Sequence, residues 1–245
     1  MLLLLLPQTA ALPRRAVGWL RSTRLRGGAD DASTGDGDRL SKDDVISKLN
    51  AVPVFSVVAE GGRFVAEPAE DGDEDDDGTI RFYLDADEAR SALAQAAVRS
   101  PDLELRLASL PLGTAYTACE ASPRYVLQGP QAALEEGGAE AEKKLRAQGL
   151  EPGRWVLPVL CSDDFQTPTL MPLFFSADDM TAGWVRSGRP ESEAMFLIKS
   201  VWDLRSLVVN MQHADGMPWS KFQFVTSVKA YGLAKELAEG GSETD

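Results

Sequence analysis

Val52-Pro53-Val54-Phe55, followed by Phe82-Tyr83-Leu84-Asp85-Ala86-Asp87, is echoed downstream by Leu157-Pro158-Val159-Leu160, followed by Phe174-Phe175-Ser176-Ala177-Asp178-Asp179. In each copy an apolar, strand-like run containing proline leads through a turn to a second apolar run, which stops at a residue able to cap a helix. An internal repeat constrains the architecture before any single motif does. Asp85 with Glu88, and Ser176 with Asp179, each set a capping side chain three residues before a carboxylate, which suits the orphan N–H groups and the dipole of a helix start. Ala89, Ala92 and Leu93 then match Met180, Gly183 and Trp184 at spacings that turn one helix face inward. A further strand is expected in each copy, at Leu103-Glu104-Leu105-Arg106-Leu107 and at Ala194-Met195-Phe196-Leu197-Ile198.

The expected fold is α+β: two pseudo-symmetric sheet-and-helix units, residues 45–125 and 154–225, packed as one body within residues 44–239. Most strands should be antiparallel, because Gly61-Gly62 between residues 54–59 and 63–66 is too short for a crossover and supplies the positive φ of a tight turn. A short first helix is expected over residues 42–50 with Ser41 as its cap, a strand over 79–84, a short helix over 109–116 and a charged helix over 139–148. The last helix of the second unit should begin near Ser200 or Asp203 and carry the stripe Leu204, Leu207, Val208 and Met211. A closing strand at residues 222–225 and a terminal helix marked by Val228, Tyr231 and Leu237 complete the body, with a tail at 240–245.

The chain has 245 residues and a net charge of −13, unevenly placed. Residues 1–29 hold Arg14, Arg15, Arg21, Arg24 and Arg26 and no acidic residue, so the rest carries 20 Lys and Arg against 38 acidic residues, or −18. Such a body repels nucleic acid and anionic lipid and attracts basic segments. The first 29 residues read as a cleavable address, with Leu2 to Leu6 as a short signal-like core followed by an arginine-rich, acid-free stretch of transit-peptide type. That bipartite form suggests an algal plastid precursor. Residues 30–43 are a Gly-, Ser- and Asp-rich linker, and no apolar run reaches the roughly 18–20 residues needed to span a bilayer.

Catalytic and cofactor signatures are missing from the sequence. The only histidine, His213, sits at an expected helix end before the turn Asp215-Gly216, and no phosphate- or dinucleotide-binding glycine motif occurs. Cys119 and Cys161 lack a nearby second cysteine, so the sequence leaves open a single disulfide or two small apolar thiols. Asp73, Asp75, Asp77, Gly78 and Ile80 imitate the spacing of a calcium loop, but Leu84 stands where the bidentate glutamate belongs, and the segment 67–77 reads as a solvated acidic insertion. No cofactor or metal is expected, and the protein reads as no enzyme.

Leu49-Asn50-Ala51-Val52-Pro53-Val54-Phe55, Pro172-Leu173-Phe174-Phe175-Ser176 with Trp184 in the helix that follows, and Val201-Trp202-Asp203-Leu204 leading to Met211 resemble the Tic-twenty-two-like family. The resemblance covers residues 41–239, and the acidic insert departs from the compactness of the family's first unit. It implies a pseudo-twofold body with apolar surface grooves. It also implies a non-catalytic, chaperone-like role towards preproteins and transit peptides crossing the intermembrane space of the plastid envelope, beside translocon subunits. Phe174, Phe175, Trp202, Leu207 and Met211 are the side chains such a groove would use, although the same spacing suits core. Two other readings stay open: a structural subunit with its apolar stripes buried in a complex, and a hydrolase built on Asp163 and Asp164.

Overall fold

The computed structural model describes residues 39–67, 78–197 and 199–240. The leader at 1–29, linker residues 30–38, the acidic insert at 68–77 with its calcium-like spacing, Ile198 and the tail from 241 lie outside the described residues.

The first half starts with α1 (Lys42–Leu49), opened by a capping box in which the Ser41 hydroxyl accepts the Asp44 N–H and the Asp44 carboxylate accepts the Ser41 N–H. β1 (Pro53–Ala59) pairs with β3 (Leu105–Pro111) antiparallel from Pro53 opposite Pro111 to Ala59 opposite Leu105. On its other side β1 meets β2 (Ile80–Tyr83) antiparallel at Phe55 and Tyr83, and β2 runs parallel to β4 (Tyr125–Gln128). Gly61 and Gly62 both hold positive φ, 73° and 75°, and turn the chain so that the Val65 N–H reaches the Val57 carbonyl at 2.9 Å. The return residues form only an isolated bridge, Val58 with Phe64, in place of the expected second hairpin strand. The helices of this half are α2 (Ala86–Arg99), capped by Asp85, then α3 (Leu112–Ala121) and α4 (Gln131–Ala147).

The second half contains β5 (Pro158–Cys161), β6 (Met171–Leu173), α5 (Ala177–Arg186) capped by Ser176, α6 (Glu191–Ala194), β7 (Ser200–Asp203), α7 (Leu204–His213), β8 (Phe222–Phe224) and α8 (Val228–Gly240). β5 pairs antiparallel with β7, touches β6 through one antiparallel bridge between Leu160 and Phe174, and β6 runs parallel to β8. The order β7-β5-β6-β8 thus follows the same path as β3-β1-β2-β4 in the first half. One backbone bond recurs in matching places: the first N–H of α3, on Leu112, donates to Val52 at 2.8 Å, and the first N–H of α7, on Leu204, donates to Leu157 at 3.0 Å.

The two sheets share one core. Val54 and Val159, Phe82 and Leu173, and the inward stripes of α3 (Leu112, Ala115, Tyr116, Cys119) and α7 (Leu204, Leu207, Val208, Met211) all belong to it, with Val45 and Leu49 of α1. The opposite faces are clad separately. Phe55 and Tyr83 pack under α2 and α8, while Leu160 and Phe174 pack under α5 and α6 with Met180 and Trp184. A Leu-sized side chain fully removed from water contributes about 1.5–3 kcal/mol, so the α7 stripe is a major part of the common core.

Several sequence expectations shift. The strand expected at residues 103–107 lies at Leu105–Pro111, and helix α3 begins only after Pro111, whose ring fixes φ at −66° just outside the first turn. Residues 194–197 form no strand: Pro190, Glu191 and Glu193 start α6, and the strand follows at Ser200–Asp203. Helix α4 starts at Gln131, well before residue 139, running through Gly137-Gly138. A Cβ at Gly137 would stand 3.1 Å from Val201, so the glycine lets the helix lie close on β7. β4 has no counterpart among the strands expected from sequence. In α8 the buried residues are Ala230 and Leu233, while Val228 and Tyr231 face solvent.

Candidate functional site

An apolar pocket opens in the second half where the sheet leaves α7 incompletely covered. Met171 and Leu173 of β6, Phe222 of β8, Trp202 of β7, Cys161 of β5 and Leu207 of α7 form its walls, and Leu170, Met217, Pro218 and Trp219 approach its mouth. Asp163, Gln166, Thr167 and Lys221 supply the polar rim. The cavity volume is about 40 Å³, enough for one aliphatic side chain or about three waters.

Local bonds fix these walls. After the turn at Asp215-Gly216, the Trp219 indole N–H donates to the Ala214 carbonyl at 2.9 Å, and its ring lies 4.8 Å from that of Phe222. The Lys48 ammonium of α1 donates to the carbonyls of Ser220 and Phe222 at 2.8 and 2.9 Å, tying this wall to the first half. Across the mouth, the Thr167 N–H donates to the Leu170 carbonyl, and the Leu170 N–H donates to the Thr167 hydroxyl, each at 2.9 Å. The Lys144 ammonium sits 4.9 Å over the Trp202 ring and donates to the Val201 carbonyl at 2.6 Å. Burial pushes the Cys161 thiol up to about 12, so it lines the pocket as a neutral, unreactive group. Burial, with Asp164 beside it, also raises the Asp163 carboxyl above its usual range.

A second opening lies between the halves, with a volume of about 320 Å³. The first turns of α2, α4, α5 and α8 surround it, with Phe175 and Leu84 in its wall. Three of its four carboxylates are engaged at helix starts: Glu88 accepts the Gln131 N–H at 2.6 Å, Asp85 accepts the Asp87 and Glu88 N–H groups, and Asp179 accepts the Ser176 hydroxyl at 2.7 Å.

Of the side chains expected to line a groove, Trp202 and Leu207 meet in the apolar pocket. Phe175 borders the opening between the halves. Phe174 and Met211 are buried, in the core beneath α5 and in the common core respectively. Met171 and the stretch Met217-Pro218-Trp219 line the pocket without having been expected there; three apolar residues directly after an Asp-Gly turn are the sequence signal for the latter. Asp163 stands at the rim of the pocket with Asp164 beside it, both exposed, and the Ser162 hydroxyl is bonded to Asp164. Cys119 and Cys161 are free and buried, and His213 ends α7 in an exposed position. Among the described residues no His, Cys, Asp and Glu cluster suits a metal ion, and no helix is long and apolar enough to cross a membrane.

No protein-family model matches the chain, and no curated protein matches it in sequence. Solved structures match it in shape. Tic22 of Anabaena, a protein-transport protein, overlays with a TM-score of 0.52 at 17% identity, covering 81% of this chain and 98% of that one. Tic22 from Plasmodium falciparum overlays with a TM-score of 0.56 at 14% identity, covering 80% and 98%. At these identities the likeness is one of fold. It spans both halves of the body, which together make up a Tic22-like fold.

Proposed function

We propose that this protein is a non-catalytic import factor of the plastid, holding unfolded preproteins and transit peptides as they cross the envelope intermembrane space in company with translocon subunits. The observation that carries the reading is the apolar pocket: partly exposed Leu170, Trp202 and Met217 lead to a buried floor of Leu173, Leu207 and Phe222, with Asp163 at the rim. An extended client with alternating apolar and basic residues meets both chemistries there, the apolar residue entering and the basic one resting on the rim. The likeness to a protein-transport fold and the acid-free arginine-rich leader support the same role.

The test is binding of a fluorescent arginine- and leucine-rich transit-type peptide to the chain without its leader, residues 1–29, at low and high salt. Met217→Ser, at the mouth, should weaken binding by about 1–2 kcal/mol without unfolding the protein, and salt should weaken it further. Absence of binding by the leader-free chain at both salt concentrations refutes this role.

A structural-subunit reading draws on Met195 and Phe196, which stand 78% and 76% exposed beside α6. Purification of the chain only within a stable hetero-complex would favour it.

A further inference from the structure

We propose that the apolar pocket's first occupant is the leader of the same chain: in the uncleaved protein, residues 17–20, flanked by Arg14, Arg15 and Arg21, fill the pocket and exclude other clients. This rests on the reading of the pocket as a client site and adds a built-in competitor to it.

The position at which the N-terminal segment leaves the body supports the inference. The Leu40 N–H donates to the Met211 carbonyl at 2.9 Å, near the end of α7, and Leu40 packs on the common core. The Arg39 guanidinium forms an ion pair with Asp215, two residues before Met217 at the pocket mouth. The segment therefore departs beside the pocket. About twenty residues separate Leu20 from Arg39; a Gly-rich chain of that length has an end-to-end distance of roughly 25 Å, so the tether reaches the pocket and holds the leader at an effective concentration near the millimolar range.

The chemistry matches at both ends. Val17-Gly18-Trp19-Leu20 is an uncharged, mainly apolar run between arginines, in a leader with five arginines and no acid. The pocket offers an apolar floor with Asp163 at its rim, on a chain whose residues beyond the leader carry a net −18. Lys221 stands elsewhere on that rim, so charge favours arginine on the Asp163 side. The cavity volume of about 40 Å³ suits one side chain of leucine size at its floor, with the remainder of the run on the mouth.

The experiment uses the full chain carrying a photo-crosslinking amino acid at Met217 and, separately, at Leu170, followed by peptide mapping. Crosslinks to residues 12–26 of the same chain, at a yield independent of protein concentration, are the expected result. The double variant Val17→Asp, Leu20→Asp should abolish them. It should also bind an added peptide of the sequence of residues 12–26 about tenfold more tightly than the unaltered chain does, because the tethered competitor is gone. Equal affinity in the two chains, with crosslinks confined to the body, overturns the inference and leaves the pocket reading standing. Crosslinks that grow with concentration overturn it in favour of a leader from a second copy. Failure of the peptide to bind either chain overturns the pocket reading and this inference together.

Discussion

In the first half β1 and β3 lie side by side over seven residue pairs, whereas in the second β5 and β7 manage four. The strand order is the same, and so is the division of faces: Val54 and Val159 point to the common core, and Phe55 and Leu160 to the outer helices. What differs is how much backbone is left over. The first half spends its residues on long ladders, and its outer face is closed by small alanines, Ala86, Ala89, Ala92 and Ala96, on which α8 also packs. The second half has short strands joined by one bridge between Leu160 and Phe174, and large aromatic side chains fill in for missing sheet. The apolar pocket lies on the other face of these short strands, lined by Met171, Leu173, Trp202 and Phe222. With the same strand order, the first half is built on longer ladders and the second holds the apolar pocket.

The residue that closes the β1–β3 ladder is Pro111, opposite Pro53, while the one in the matching place of the second half is Asp203, opposite Pro158. Asp203 is fully buried, and its carboxylate accepts the N–H groups of Leu157 and Arg205 at 3.0 and 2.9 Å and the Arg205 side chain at 3.2 Å. Arg205 in turn stacks 4.3 Å over the Trp155 ring and donates to the Trp155 carbonyl at 2.6 Å, which clasps the connection between the halves. Asp203→Ala strands a buried N–H and a guanidinium at once, and chemical denaturation should show a loss of about 3–5 kcal/mol. Pro111→Ala, at an exposed position that caps with no side chain, should cost under about 1 kcal/mol. Equal costs would mean that the clasp is not what distinguishes the halves.

The helix starts offer a closer comparison. The Asp85 carboxylate accepts the Asp87 and Glu88 N–H groups at 2.8 and 2.9 Å, and the Ser176 hydroxyl accepts the Asp179 N–H at 3.1 Å. Asp85→Ala and Ser176→Ala should each cost about 1 kcal/mol in thermal or chemical unfolding. If the halves unfold as one cooperative body, both variants keep a single transition; a separate early transition in Ser176→Ala would show the second half opening by itself.

These caps were legible in the sequence because their chemistry is local: Ser41, Asp85, Ser176 and Asp203 each reach backbone two or three residues away. The stripes of α2 and α7 were legible for a similar reason, since helical spacing alone turns them inward. β4 was not, because Tyr125–Gln128 is too short to show a period and is defined by pairing with β2, far back in the chain. The run Met195-Phe196-Leu197 misled as a strand because its apolar character serves no sheet; Met195 and Phe196 face solvent. Helix α4 reaches back from the charged stretch at 139–148 to Gln131 through Gly137-Gly138, and close packing on β7, a contact distant in sequence, is what asks for Gly137. A small part of the pocket was within reach: Trp202 and Leu207 sit on recognisable elements, but its mouth at Met217-Pro218-Trp219 is assembled by a turn and by Lys48 from α1, a contact no spacing encodes.

The smallest expected effect lies at the third helical position of α2 and α5, where Glu88 and Asp179 again match. Burial raises both carboxyls, above usual values of 4.5 and 3.8, and it outweighs the lowering by the Gln131 N–H in one case and the Ser176 hydroxyl in the other. A carboxyl whose folded value is raised binds its proton more tightly in the native state. Such a group leaves stability undiminished below its unfolded value and subtracts from it as pH rises through the folded value. Glu88→Gln and Asp179→Asn keep an acceptor oxygen but cannot ionise. Each should therefore flatten the fall in stability as pH rises from 4.5 or 3.8 towards neutrality, measured as unfolding midpoints against pH for variant and unaltered chain. The exposed carboxylates Asp44, Asp87 and Asp215, lowered by Ser41, Lys229 and Arg39 respectively, act with the opposite sign in both backgrounds and cancel in the difference. A steeper fall in either variant would show that the carboxylate is stabilised at its helix start, and that the dipole outweighs burial there.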